Sequence, residues 1–224
     1  MPSVLVIAPH PDDEALGCGG AICLHKKRGD RVHVVFLTSG ERGVPGVGAE
    51  AARAIRETEA LRAADVLGLE PPVFLRLPDL ALAEHSSRGA ELLSARLAAC
   101  EPGVVYLPHL DDGHPDHQAC LPLVRAALAR HGPAKSPDLC LYEVWSPMTT
   151  YGWAEDITPF MRTKLRAVRC YRSQLAGFRY DRAVRGLNQY RGCLAARCDY
   201  AEVFQHAGPA EMTLQARTHI HPGA

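Results

Sequence analysis

With 224 residues, 47% of them hydrophobic, the chain can bury one α/β core and is too short for two large ones. Its 25 basic and 25 acidic side chains cancel, so no global field draws it to nucleic acid or to an anionic membrane, and a small neutral or weakly charged partner is expected. The longest early apolar run, residues 4–9, falls far short of the ~18 residues a spanning helix needs and has no basic lead. The 8 cysteines include no CxxC pair. Together these features predict a cytoplasmic protein with no membrane span, its thiols reduced and mostly packed as small apolar side chains.

In chain order, apolar runs at 4–8, 32–37, 73–75, 104–107 and 139–144 are continuous rather than alternating, which is how strands buried on both faces read. Helical patterns at 14–28, 49–67, 87–100 and 116–131 separate them, each long enough for a right-handed crossover between parallel strands. Gly29 and Gly68 fall where the first two helices need a left-handed cap. The predicted architecture is a doubly wound, mostly parallel α/β sheet in a single domain. Its core covers about 1–145, and a loop and helical C-terminal extension cover about 146–224. Within the extension, Thr158 followed by Pro159 opens a helix expected to run to about 175. Residues 162–197 hold ten basic side chains against Asp181 alone, which predicts solvated helix faces or subunit contacts, with recognition of an anionic group as the alternative. His219 and His221 read as a flexible tail.

Two clusters carry the chemistry. HPDDE, residues 10–14, follows the first strand, and DDGHPDH, residues 111–117, follows the fourth. Adjacent carboxylates beside an imidazole are costly unless a cation offsets them. Helix capping accounts for Asp12, Asp13 or Glu14 singly, but leaves HPDH unexplained. In an open α/β sheet the first and fourth strands flank the point where strand order reverses, so the two clusters should meet there. They would offer His, Asp and His ligands with a position left open, as in a catalytic zinc site. Gly17, Gly19 and Gly20 do not make a dinucleotide-binding GxGxxG.

The residues APHPDDE and the intact HPDH resemble the LmbE-like family of de-N-acetylases, which includes PIG-L and the bacillithiol- and mycothiol-pathway deacetylases. Weaker matches are TSGERG (38–43), IRETEA with Arg56 and Glu59, LPD with Asp79, DIT (156–158), YRSQL (171–175) and YAEVF (200–204). The resemblance implies a Rossmann-like fold. It also implies zinc held by His10, Asp13 and His117, with Fe2+ or Co2+ able to occupy the same donors. Asp12 would be the general base, His114 would stabilise the oxyanion or act as an acid, and Asp116 would tune His114. Glu14 would cap the helix or support these groups by hydrogen bonding.

For substrate, the resemblance suggests Arg56 and Asp79, each with a structural alternative: an ion pair for Arg56, a turn after Pro78 for Asp79. Glu41, on the loop after the second strand, faces the same choice. Tyr142, Glu143 and Trp145, at the end of the fifth strand, form either a sugar-facing wall or core packing. The implied activity is removal of the N-acetyl group from an N-acetylglucosamine-type sugar. Alternatives are cleavage of a larger amide in a thiol-sugar conjugate, and a non-catalytic zinc-containing sugar-binding protein. A homo-oligomer is expected for an enzyme of this size.

Overall fold

The computed structural model describes residues 2–132 and 136–208; His219 and His221 lie outside the described residues. The five apolar runs form β1 (Ser3–Ala8), β2 (Arg31–Thr38), β3 (Val73–Leu77), β4 (Val104–Pro108) and β5 (Asp138–Tyr142). They pair in parallel through α1 (Asp13–Arg28), α2 (Ala49–Leu67), α3 (Ser86–Cys100) and α4 (Pro115–His131). Gly29 and Gly68 end α1 and α2 at φ 84° and 69°.

Two strands escape the sequence pattern. The C-terminal extension is not purely helical, because β6 (Trp153–Asp156) and β7 (Ala201–His206) return to the sheet antiparallel beyond β5. The full order is β3-β2-β1-β4-β5-β7-β6, which reverses between β1 and β4. β6 is only four residues long and lies at an edge, and β7 has a buried glutamate where an apolar residue would have marked it.

Each central strand feeds two cores. In β1, Val4, Val6 and Ala8 meet one apolar cluster shared with α1 and α2, whereas Leu5 and Ile7 meet the other, under α3 and α4. Full burial of one such side chain stabilises the fold by roughly 1.5–3 kcal/mol.

The buried glutamate of β7 has a definite task. α1 leaves helical geometry at Cys18 (φ −139°, ψ 23°). Glu202 then accepts the amides of Gly20 (2.7 Å) and Ala21 (2.8 Å), and pairs with Lys164 at 2.6 Å. Gly17 lies on the same helix, with the Tyr142 ring 2.2 Å from where a Cβ would stand. The glycines of α1 therefore serve close packing rather than a phosphate loop.

The helix expected over 158–175 is interrupted. A 3-10 turn (Thr158–Phe160) leads into α5 (Met161–Val168), and α6 (Arg172–Leu175) begins after a break. The break turns Tyr171 inward, where its hydroxyl donates to Glu14 at 2.5 Å. After α7 (Tyr180–Arg191) a π-helical turn (Gly192–Ala196) leads to β7. Most arginines of the basic segment are exposed as expected, but Lys164 and Arg191 are buried on Glu202 and Glu143. All eight cysteines are free; Cys18, Cys23, Cys120 and Cys140 are buried and Cys193 is exposed. No helix among the described residues is long and apolar enough to cross a membrane.

Candidate metal centre and active site

The carboxyl ends of β1 and β4 bring both clusters to the point where strand order reverses. From each strand a short loop leads into a helix, so two positive helix ends face the same space. Asp12 is the residue before α1, held at φ 133°, a region that side-chain-bearing residues rarely occupy. Glu14 accepts the Asp12 amide (3.2 Å) while also receiving the Tyr171 hydroxyl, so the strained backbone is braced from behind. On the other side, His114 caps α4 with its Nδ1 accepting the Asp116 amide (3.2 Å), and Pro115 occupies the first helical position.

Three donor atoms converge. His10 Nδ1 and His117 Nε2 each lie 3.2 Å from Asp13 Oδ2, and 3.3 Å from one another. The opposite nitrogen of each ring faces carboxylates. His10 Nε2 is 3.1 Å from Asp116 and 3.2 Å from Asp79, and His117 Nδ1 is 3.2 Å from Asp112, somewhat off the ideal hydrogen-bond line. Those carboxylates favour the proton on the outer nitrogen of each ring, which leaves two imidazole lone pairs and a carboxylate oxygen pointing at one another. Such a cluster repels itself unless a cation or extra protons fill it. The triangle also has the right size, since four ligands about 2.0–2.1 Å from a tetrahedral ion stand roughly 3.3 Å apart. The residues present thus fit a divalent ion. His114 is close by, its ring nitrogen within 4.8 Å of those of His10 and His117.

The electrostatics follow the same arrangement. Burial would depress His10, but Asp116, Asp13 and Asp79 hold it well above the usual imidazole value. Burial would raise Asp13, yet His117 and His10 hold it well below the usual carboxylate range. Burial pushes Asp12 up to about 7, against the Arg56 guanidinium 3.3 Å away, which pulls it down. His114 is lowered, first by burial and then by the neighbouring imidazoles of His10 and His117.

A cavity of about 150 Å³ opens beside these groups. His10, Asp12, Asp13 and His114 line it, with Arg42, Arg56, Asp79 and Gln174 as polar neighbours and Leu16, Leu80 and Trp145 as apolar ones. Arg56 is buried, donating to the carbonyls of Pro11 (2.6 Å) and Gly40 (3.3 Å), while its Nε has no hydrogen-bond partner among the described residues. Asp79 accepts the Arg42 amide at 2.9 Å, and Glu41 receives the Asp79 amide at 3.0 Å. Glu41 therefore braces the loop behind Asp79 and does not line the cavity.

Two expectations are corrected by these contacts. Tyr142 is fully buried, its hydroxyl donating to the Ile7 carbonyl at 2.9 Å, so it is a core residue and not part of a sugar-facing wall. Glu143 is likewise buried, on Arg191, and of that trio only Trp145 reaches the cavity. Asp116 has its direct side-chain contact with His10 rather than His114, and also accepts the amides of Leu80 (2.8 Å) and Leu82 (3.1 Å).

Two further residues carry no role in the sequence reading. Asp112 is wholly buried, set against His117 and accepting the amides of His114 (3.1 Å), Trp145 (2.9 Å) and Ser146 (3.3 Å). Its place in DDGHPDH beside a ligand-type histidine was the only available signal. Gln174, within YRSQL, lines the cavity and donates to the Gly43 carbonyl at 3.0 Å.

At its strand ends this open α/β sheet carries a His-Asp-His cluster with the Asp12 carboxylate and a small cavity beside it. Residues 5–128 match the family described as PIG-L, GlcNAc-PI de-N-acetylase, and the chain belongs to that family. It is 30% identical over 186 residues to the probable N-acetyl-alpha-D-glucosaminyl L-malate deacetylase 2 of Bacillus subtilis, covering 78% of this chain and 84% of that one. The N,N'-diacetylchitobiose deacetylase of Pyrococcus horikoshii superposes with TM-score 0.80 at 26% identity, over 91% of this chain and 83% of that one. The 4-carboxy-2-hydroxymuconate hydratase of Pseudomonas putida superposes with TM-score 0.78, also at 26% identity, over 93% and 97%.

Proposed function

We propose that the chain is a metal-dependent N-deacetylase that hydrolyses the acetamide of an N-acetylglucosamine-type sugar or glycoconjugate to acetate and a free amine. The observation that carries this reading is the triangle of His10 Nδ1, Asp13 Oδ2 and His117 Nε2, with edges of 3.2–3.3 Å, beside an Asp12 carboxylate held out of it. Those three residues would hold the ion, with zinc as the expected metal and Fe2+ or Co2+ able to take the same donors. When bound, such an ion supplies Lewis acidity to a carbonyl oxygen and lowers the pKa of a water.

The chain's own residues do the rest. Asp12, beside the donor triangle and not part of it, is placed to take a proton from water. Arg56 fixes its direction, and Glu14 fixes its backbone. Because Nδ1 of His114 accepts an amide hydrogen, the neutral ring carries its own hydrogen on Nε2, from which it donates to the oxyanion as charge develops. A neutral donor accords with the lowered His114 value. The proton on Asp12 then passes to the departing nitrogen. Arg56, Asp79 and Gln174, which line the cavity, would meet sugar hydroxyls.

The likeness to a hydratase favours a second reading, in which the same base and ion add water to a conjugated carbon–carbon double bond. Both are separated by assaying metal-replete protein for acetate release from N-acetylated sugars and, in parallel, for loss of ultraviolet absorbance of an unsaturated 2-hydroxy dicarboxylate. Acetate release that falls on chelation and returns with metal supports the deacetylase. Loss of diene absorbance without acetate release overturns it.

A further inference from the structure

The chemistry at the strand ends leaves one buried ion pair without a task. Arg191, the last residue of α7, is 7% exposed, and Glu143, just beyond β5, is 6% exposed. Taking two charges out of water is costly, and well-packed apolar side chains in their place are often as stabilising or more so, which makes such a pair weak evidence of stability alone. Its contacts point to a different role.

The pair grips the loop that follows β5. Arg191 donates to both carboxylate oxygens of Glu143, from Nε at 3.3 Å and from Nη2 to the other oxygen. The same Nη2 donates to the Met148 carbonyl at 2.8 Å, and Glu143 accepts the Met148 amide at 2.6 Å, so the pair takes both main-chain polar groups of one loop residue. The Tyr151 ring stands 5.1 Å from the guanidinium carbon and the Tyr190 ring 5.8 Å from it. One guanidinium on α7 thus ties the loop at positions 143, 148 and 151. A planar fork makes these contacts together; the compact ammonium of a lysine cannot.

Between those ties the loop builds one wall of the candidate active site. Trp145 lines the cavity with Asp12 and His114. Asp112 accepts the amides of Trp145 and Ser146, Ser146 Oγ accepts the Gly113 amide at 2.9 Å, and the Ser146 carbonyl accepts from His109 Nε2 at 2.7 Å. Residues 143–152 form no helix or strand, so side-chain contacts of this kind must set their path. Asp112 keeps its own anchors on the His114 amide and beside His117. Release of Arg191 would therefore loosen the wall around Trp145 more than the donor triangle.

We propose that Arg191 is a positioning residue of the candidate active site: set on Glu143, it fixes the main chain at Met148 and so holds Trp145 and Ser146 in the wall beside Asp12 and His114. Among the described residues, Arg191 itself belongs to neither the cavity lining nor the donor triangle. Both members of the pair lie beyond residues 5–128, the segment matched to the family. The kinetic arm of the test rests on the deacetylase reading; the spectroscopic arm does not.

The protein has two tryptophans, so Trp153→Phe leaves Trp145 as the sole indole reporter. In that background the parent is compared with Arg191→Lys, which keeps the charge and loses the fork, and with the double variant Arg191→Met, Glu143→Gln. The double variant leaves no buried carboxylate unpaired, which preserves a folded protein if the single one fails to fold. Acrylamide quenching of Trp145 should rise by about twofold or more in both variants, and KM for N-acetylglucosamine by roughly three- to tenfold, with kcat and the zinc Kd within about twofold of the parent. Unchanged quenching and KM in the folded double variant overturn the clamp and leave the deacetylase intact. Losses of kcat and zinc affinity that follow a lowered unfolding midpoint make the pair structural support and also overturn it. Increased quenching, with no acetate released from any N-acetylated sugar even by the parent, overturns the deacetylase and leaves the clamp standing.

Discussion

Replacing Asp112 by asparagine should weaken metal binding although Asp112 is not itself in the donor triangle. The carboxylate has two jobs: Oδ1 sits 3.2 Å from His117 Nδ1, and Oδ2 accepts the amides of Trp145 and Ser146. Burial opposes its charge, but His117 and the amides of His114 and Trp145 hold its pKa below the usual range, so the native side chain is an acceptor on both oxygens. Asparagine is an acceptor on one side only. With its NH2 towards the loop it meets two N–H groups with nothing to accept them. With its NH2 towards His117 it forces Nδ1 to accept, which moves the ring proton to Nε2 and removes the lone pair aimed at Asp13 and His10. Loss of such an orienting carboxylate usually costs 10- to 100-fold in metal affinity, about 1.4–2.7 kcal/mol. Competition with a chromophoric chelator measures the zinc Kd directly. A Kd within about twofold of wild type, in a variant with an unchanged unfolding midpoint, would refute the orienting role of Asp112 and weaken the case for His117 as a ligand.

Other outcomes follow from the same contacts. Asp12→Asn should retain stoichiometric metal but lose roughly 10²- to 10⁴-fold in kcat, and near wild-type turnover in the purified variant would reject Asp12 as the base. Tyr142→Phe should keep kcat and KM, yet destabilise the fold by about 1–2 kcal/mol in urea titration, because the Ile7 carbonyl loses its donor. A raised KM at unchanged stability would restore Tyr142 to the substrate site.

In metal-free protein, burial lifts Asp12 to about 7 and Glu14 to about 8. The folded state then holds protons that an unfolded chain releases near about pH 4, so the contribution of these two groups to stability is fully present below that pH and is lost as pH rises towards about 8. The raised His10 acts in the same direction. The urea midpoint should fall between about pH 5 and about pH 8, and one that climbs across this window would contradict these burial effects.

Much of this molecule is legible in its order of residues. Local signals mark the five parallel strands: uninterrupted apolar runs, glycine caps after α1 and α2, and two acid–histidine clusters at strand ends. The rule that ligands gather where strand order reverses brings His10 and His117 together across 107 positions of sequence, because it depends on topology and not on any particular side chain.

What stays hidden is whatever one residue owes to a distant partner. β7 reads poorly because Glu202 interrupts it, and that carboxylate makes sense only beside the amides freed at the Cys18 kink and the buried Lys164. Tyr142 at a strand end looks like a rim residue until the Gly17 notch in α1 admits its ring to the core. Asp116 lies two positions from His114 in the chain but faces His10, since the turn of α4 aims its side chain across the site. Sequence alone determined the scaffold and the donor chemistry. Which carboxylate serves which imidazole, and which aromatic is left facing water, was decided only by folding, because hydrogen-bond partnership and burial depend on distances in space that linear spacing does not encode.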